Sequence, residues 1–514
     1  ARPAPGADGH NAGRNGQRTM NHPSAQTPEP VAIVIIGATG DLSQRLLFPA
    51  LYRLFSEGAI SSSLAIVGMS RRGMTHEQFR TFARDGVGRD VAIDAASWGR
   101  FAERLFYVSA DSMKEADYAH VARTLAEVEP RFGTGGDRLF YLASPPSTYE
   151  PILTNLGRSE LIRYGSRQPW TRVIIEKPFG RDEATARRLN VLVDRAIGEE
   201  SVYRIDHYLG KETVQNMLVF RFANTVFEPV WNRRYVDHIQ ISFVEDMGVG
   251  GRGRFYEEVG VVRDVIQNHV LQLLAIIAME PPAVFDAEGF RNEKAKVLRA
   301  ILPAQPAAAV RGQYSGGIVG GQRVPGYREE EGVDPHSVTP TYAAMRVQIE
   351  NWRWADVPFY LRAGKRLARK DTEVVVVFRQ PPLRLFRDYD ITGMDHNVLV
   401  LKTTDDERIA LRFGARVPGH KHEIRSVTLD FSYRDFGEPE HSAYEHLLLD
   451  VMRGVQTSFP RRDEVELQWA IVDPLLQHWA DHPPEDFPNY PAGSMGPADA
   501  DALLVREGRQ WRTD

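Results

Sequence analysis

The sequence predicts a doubly wound α/β domain at the N-terminal end, followed by a larger α+β domain with a mostly antiparallel sheet. Three observations predict it. Val31–Ile36 is an unbroken apolar, β-branched run, the composition of a strand buried on both faces of a parallel sheet. Further short apolar runs follow as far as residue 175, with helical spacing between them. Beyond about residue 205 the alternation stops, and long helical stretches give way to runs of strand period.

In chain order, residues 1–30 are rich in Pro, Gly, Asn, Ala and Gln without an apolar period, and a disordered leader is expected there. The first strand runs into Gly37-Ala38-Thr39-Gly40-Asp41-Leu42 and then a helical stretch carrying Leu46, Leu47, Ala50, Leu51 and Leu54. Strands are expected next at 64–67, 105–108, 138–142 and 173–175, which makes 31–204 a Rossmann-like domain. The second domain, 205–514, opens with helices expected over 211–222 and 258–279. Strands are expected after them at 238–244, 343–349, 373–378 and 397–401. The stretch 303–340, rich in Gly, Pro and Gln, reads as a long loop or excursion.

Bulk properties narrow the function classes. At 514 residues the chain exceeds what one core organises, so two or three domains are expected. The 42% hydrophobic and 25% charged content is that of an ordinary soluble protein. A net charge of -5 points to neither a nucleic-acid binder nor a membrane-surface binder. The absence of cysteine excludes disulfides, thiolate metal sites and cysteine nucleophiles, and fits a cytoplasmic protein. No run approaches the roughly 18 consecutive apolar residues of a membrane span, and the N-terminus has no apolar signal-peptide core.

Five segments carry candidate chemistry. Gly37 and Gly40 permit a tight turn close to a pyrophosphate, and the amides opening the next helix would face the anion. The pattern is G-x-x-G-D-L, a partial match to the dinucleotide fingerprint, and a ligand-free turn is the bland alternative. The second strand leads to Arg71 and Arg72 where NAD-specific folds place an acidic residue, which suits the 2′-phosphate of NADP better than a bare ribose. Lys177, in Glu176-Lys177-Pro178, follows a parallel strand at the edge where such sheets bind ligands. In Asp206-His207-Tyr208-Leu209-Gly210-Lys211, a helix beginning near Asp206 would set His207 and Lys211 on one face as a phosphate clamp. Finally, the glycine-rich 250–253 precedes a largely apolar helix bearing Arg263, Asp264, Asn268 and His269, four polar groups that burial obliges to find partners.

At these residues the sequence resembles the glucose-6-phosphate dehydrogenase family. The matching segments are GATGDL, YLASPP (141–146), EKPFG, RIDHYLGKE, RDVIQNH, LRAGKR (361–366) and YPAGSMGPADAD (490–501), in the family's order from about residue 31 onwards. The resemblance implies that His269 is the general base toward the anomeric hydroxyl and that Asp206 orients it. It implies cofactor contacts at Gly37, Ala38, Thr39, Gly40, Asp41, Leu42, Ser43, Arg71, Tyr149 and Lys177. Substrate contacts are implied at Lys177, His207, Tyr208, Lys211, Glu245, Asp264 and Lys365. The implied cofactor is NADP with NAD as a weaker alternative, the implied substrate glucose 6-phosphate, and the implied assembly a homodimer or homotetramer. This chain has Ser43-Gln44-Arg45-Leu46 where many members carry a lysine-rich run, which leaves room for NAD.

Two enzyme rivals and one non-enzyme rival stand beside this reading. A sugar or inositol dehydrogenase family also places Glu-Lys-Pro after a strand, but does not need the clustered His207 and Lys211. A metal-dependent dehydrogenase would require a His/Asp/Glu set at ligand spacing, and none is seen, so no metal is expected. A non-catalytic paralogue would have lost the base or its orienter, and both are present.

Overall fold

The computed structural model describes residues 27–512 except 164, 166–167, 384, 387–389, 393–395, 405–406, 421 and 438–440. The expected leader therefore lies almost wholly outside the described residues, with 27–30 in no regular element.

Six strands form the first sheet: β1 (Val31–Ile36), β2 (Leu64–Ser70), β3 (Leu105–Ser109), β4 (Arg138–Leu142), β5 (Thr171–Ile175) and β6 (Val202–Arg204). Every neighbouring pair is parallel, in the order β3-β2-β1-β4-β5-β6. This is the doubly wound order, with its switch point between β1 and β4. The apolar runs are buried along their length because helices cover both faces. Those helices are α1 (Phe48–Ser56), α2 (His76–Val87), α3 (Ala95–Ala102), α4 (Tyr118–Phe132), α5 (Tyr149–Arg158) and α6 (Glu183–Ala196). The three-residue β6 escapes sequence reading, being too short to show a period.

The second half holds α7 (Glu212–Phe222), β7 (Val236–Val244), α8 (Gly253–Val261), α9 (Leu271–Ala278) and α10 (Ala287–Ala300). Then come β8 (Ala309–Gly312), β9 (Tyr314–Ser315), β10 (Gly317–Val319), β11 (Gln322–Val324), β12 (Tyr342–Val347), β13 (Phe359–Gly364) and β14 (Asp371–Phe378). The chain closes with β15 (Asp390–Thr392), β16 (Val398–Lys402), β17 (Arg408–Arg416), β18 (Glu423–Ser432), α11 (Ala443–Arg453), α12 (Arg462–Asp481), β19 (Tyr490–Pro491) and α13 (Ala498–Val505). Nine of these strands make one sheet, β15-β18-β17-β16-β14-β7-β13-β12-β8. It is mostly antiparallel, with parallel pairs only at β13/β7 and β15/β18.

The stretch 303–340 is not the loop expected. It supplies β8 as an edge of the large sheet, β9 paired with β19, and the β10–β11 hairpin. Tyr314 and Tyr327 are fully buried there, their rings 5.6 Å apart edge to face. Strands of two to four residues fall below the length at which periodicity is visible, and aromatic anchors replace it.

Two further features position the site. The helical run 250–278 is long and apolar enough to cross a membrane by length and composition, yet 89% of its 18-residue apolar window is buried in the fold. It is not uniform: Gly260 breaks α8 with φ 59°, and residues Val262–Val270 wind as a π-helix before α9. Helix α11, far along the chain, returns to the first sheet. Leu447, Leu448, Leu449, Val451, Met452 and Phe459 share a core with Ile33, Ile35, Leu139 and Tyr203.

Candidate active site

Register brings the chemical residues to one edge. Ile36 pairs with Met69 and Leu142, Leu142 with Ile175, and Ile175 with Arg204. The residues that follow, Gly37, Ala143 and Glu176, therefore emerge level with one another, with Asp206 just beyond. In the second sheet Val244 pairs with Gly364 and with Asp371, so Glu245, Lys365 and Lys370 emerge together. These two edges and the π-helix enclose a cavity of about 460 Å³ lined by Tyr149, Lys177, His207, Tyr208, Glu245, Asp264, His269 and Lys365, among others.

At its floor Nδ1 of His269 donates to Oδ1 of Asp206 at 2.5 Å, and Nε2 accepts from Nζ of Lys177 at 2.9 Å. The donor assignment follows from the partners, since a carboxylate accepts and an ammonium donates. Lys177 also donates to the backbone oxygen of Asp264 at 2.8 Å. Asp206 is held from its own side by the amide of Tyr208 at 3.0 Å. The π winding matters here. Five residues along an α-helix are turned apart by about 140°, whereas the wider turn lets Asp264 and His269 line the same cavity. Lys365 donates to Glu245 at 2.6 Å and stands 3.8 Å from Asp264. His207 and Tyr208 pack their rings against His269, both at 4.7 Å.

Electrostatics set the protonation states. Burial pushes the His269 imidazole below its usual value, Asp206 pulls it up and Lys177 pushes it down again, with a net lowering. Burial would raise the Asp206 carboxyl, but the charge and hydrogen bond of His269, with His207 and Lys177, hold it at about 2. The pair thus stands near neutral pH as a carboxylate and a neutral imidazole, the form in which a histidine accepts a proton. Asp264 is likewise held at about 2 against burial, by Lys177, Lys365 and His269. His207 is pushed well down by burial and by the neighbouring His269 and Lys177, so it is a neutral donor or acceptor.

The turn after β1 has the form a nucleotide diphosphate requires. Gly37 has φ 94°, and a Cβ there would lie 2.4 Å from the carbonyl oxygen of Ala143. Its amide donates to Met69 O, and the Gly40 amide donates back to Gly37 O, both at 2.9 Å. Ala38 and Ser43 are buried, and the Ser43 hydroxyl donates to Gly37 O. Thr39 bonds Ser70 at 2.9 Å, tying the turn to β2. Asp41 is exposed and paired with Arg45, and Leu42 lines the cavity. Arg71 is exposed immediately beyond β2. Tyr149 is buried, its hydroxyl donating to Glu176 O at 3.0 Å, with part of its ring on the cavity wall.

Two expectations need correction. Asp206 to Gly210 is a succession of tight turns, with Leu209, Gly210 and Lys211 amides each bonded three residues back, and α7 begins only at Glu212. His207 and Lys211 therefore share no helix face. Gly210 packs against Ala443 O too closely for a side chain. Lys211 lies over the Tyr208 ring at 4.3 Å and donates to Thr403 O, outside the cavity lining. Second, a His/Asp set at metal-ligand distance does exist: ligand atoms of Asp206, His207 and His269 lie within 4.8 Å of one another. Spacing of 63 residues hid it. Both nitrogens of His269 are already engaged, and the Lys177 ammonium opposes a second cation there.

The cavity also has walls to which sequence reasoning gave no role: Glu176, Arg252, Phe255, Lys370, Thr372, Thr404 and Tyr444. Arg252 and Lys370 had a signal, one a cation inside the glycine-rich 250–253 and the other a cation shortly after LRAGKR. Tyr444 had none, since it lies 268 residues beyond Glu176 in a helix of ordinary composition.

Family comparisons agree with this geometry. The model of the glucose-6-phosphate dehydrogenase NAD-binding domain matches residues 34–216, and that of the C-terminal domain matches residues 218–512. A glucose-6-phosphate 1-dehydrogenase of Chlamydia muridarum is 45% identical over 96% of this chain and 98% of its own. One from Mycolicibacterium smegmatis is 44% identical over 95% and 99%. A solved glucose-6-phosphate dehydrogenase in complex with glucose 6-phosphate superposes with a TM-score of 0.85 at 33% identity, covering 95% of this chain and 99% of that one. The chain belongs to the glucose-6-phosphate dehydrogenase family.

Proposed function

We propose that this protein oxidises C1 of D-glucose 6-phosphate to 6-phospho-D-glucono-1,5-lactone, with NADP as hydride acceptor. The observation that carries the reading is the chain Asp206–His269–Lys177 at 2.5 and 2.9 Å, opening into a cavity whose far wall is cationic and polar. His269 Nε2 takes the proton of the anomeric hydroxyl, displacing Lys177, which keeps its bond to Asp264 O. Asp206 holds the imidazole in the tautomer that leaves Nε2 free of hydrogen and stabilises the imidazolium as it forms. Glu245 and Asp264 accept from sugar hydroxyls, Lys365 orients both carboxylates, and His207 and Tyr208 meet the phosphate. Lys211 contributes its positive charge from behind Tyr208. When bound, the nicotinamide supplies the acceptor for the hydride leaving C1.

Gly37, Ala38, Thr39, Gly40, Asp41, Leu42 and Ser43 carry the cofactor diphosphate, and Tyr149 and Lys177 line its nicotinamide end. Arg71 meets the 2′-phosphate, which supports NADP over NAD. Leu46, 38% exposed, offers no charge there, so NAD turns over as the weaker cofactor. The protein works as a homodimer or homotetramer. This is supported by the apolar outer face of β18, where Leu429 is 63% exposed, and a purely monomeric mass by light scattering would overturn it. A cytoplasmic location is supported by the cysteine-free composition and is tested by cell fractionation. The reaction uses no metal, so chelation leaves the rate unchanged.

The test is the near-ultraviolet absorbance of reduced nicotinamide with glucose 6-phosphate, comparing NADP with NAD. His269→Asn should keep sugar phosphate binding by calorimetry and lose about 10²–10⁴-fold in kcat. A folded protein silent with both cofactors overturns the reading and favours a non-catalytic paralogue.

A further inference from the structure

Glu176 is a cavity-wall carboxyl to which the chemistry above gives no work. It follows β5 directly and precedes Lys177. Its Oε1 accepts from the Tyr141 hydroxyl of β4 at 2.5 Å and from the Tyr444 hydroxyl of α11 at 3.3 Å. Both side-chain bonds fall on that one oxygen, and the residue is 9% exposed, onto the cavity. Tyr444 in turn stacks on His207, with centroids 6.4 Å apart and planes 15° from parallel. The titratable groups facing Glu176 are Tyr141, Tyr149, Lys177 and Tyr444, from β4, α5, its own strand end and α11. A bare carboxyl in such a place is costly unless something balances it.

Position says what does. A dinucleotide on this sheet runs from the Arg71 end of β2, past the Gly37 turn, to the ends of β4 and β5. Its reactive ring has to end beside His269 and Lys177, where Ala143, Ser144, Tyr149 and Glu176 form the wall. We propose that Glu176 distinguishes the oxidised from the reduced cofactor, its carboxylate facing a nicotinamide ring that is cationic only before hydride transfer. The inference rests on the reaction proposed above. Hydride arrival neutralises the ring, so the attraction disappears and Glu176 is left as a buried charge without its cation. The reduced cofactor is then held less firmly than the oxidised one, which favours product release. Glu176 itself makes and breaks no bond.

The sign with pH follows. Burial pushes the Glu176 carboxyl up to about 7, against the Tyr141 bond, Lys177 and Tyr444. The discriminating carboxylate is therefore gained as pH rises through neutrality. In the parent, the ratio of the NADPH to the oxidised NADP dissociation constant should rise from about pH 6 to about pH 8.5. Both forms carry the same phosphates, so phosphate titration cancels from the ratio. In Glu176→Gln the ratio at the higher pH should fall about tenfold and lose its pH dependence. Tyr444→Phe keeps the carboxyl but removes a donor that favours its ionised form, so the rise should move to higher pH. Titration of both forms into the sugar-free protein, by calorimetry and nicotinamide fluorescence, reads all three. Equal weakening of the two forms in Glu176→Gln, or a pH-dependent ratio that survives it, overturns the inference while a turning-over parent leaves the reaction standing. A parent that binds neither form overturns both.

Discussion

At the scale of residues, the site is a set of opposite charges held against one another among largely buried side chains. Asp206 and His269 illustrate how the balance can be read in a rate. His269 acts only when neutral, and Asp206 raises its proton affinity while burial and Lys177 lower it. Asp206→Asn should therefore reduce kcat by about 10²–10⁴-fold, as loss of an orienting partner does, and move the acid limb of the kcat profile to lower pH. A limb that stays in place, or moves up, would mean that Asp206 does not bear on His269 during turnover. The identities of His269, Asp206, Lys177, Asp264, Glu245 and Lys365 were legible in the sequence because the motifs holding them are specific. The partner of each was not. Lys177 bonding Nε2 of His269 across 92 residues has no trace in either motif.

Elements place those residues by how they end and where they bend. The strand ends are level because the register is, and a single glycine lets β1 turn there. Gly37→Ala would put a methyl group 2.4 Å from Ala143 O at φ 94°. Strain alone costs about 1–3 kcal/mol, and the clash adds to it. The expected outcome is a lower melting temperature together with at least about tenfold weaker NADP binding. Gly58→Ala is the control, since Gly58 has φ 73° but open space around it. If the two variants behave alike, the turn has no special closeness to Ala143. Long elements were legible from period and composition, as β1, β4 and the buried helical run show. Local exceptions were not: the π winding of Val262–Val270, the turns at Asp206, and the short strands β6 and β8–β11 depend on contacts from elsewhere.

Across the whole molecule, the two halves do not divide where the composition changes. Helix α11 completes the core of the first sheet, and Arg172 of β5 donates to the carbonyls of Val451 and Met452 at its end. Behind the active site, Lys294 of α10 and Glu464 of α12 form a fully buried pair at 2.8 Å, bridged by Gln272 of α9. Removing one partner strands a charge. Glu464→Ala should cost about 3–5 kcal/mol, while replacing both with Met should cost far less. Thermal midpoints of the two variants decide it, and equal losses would show that the pair acts by packing alone. The sequence by itself determined the two fold classes, the order of the motifs and the residue types of the site, because apolar period and glycine turns are local properties of the chain. Only the tertiary structure decided which charge faces which, that Lys211 stands behind Tyr208, and that Glu176 and Tyr444 meet. Those are distances between segments remote in sequence, fixed by strand register and by the return of α11, and no local pattern encodes them.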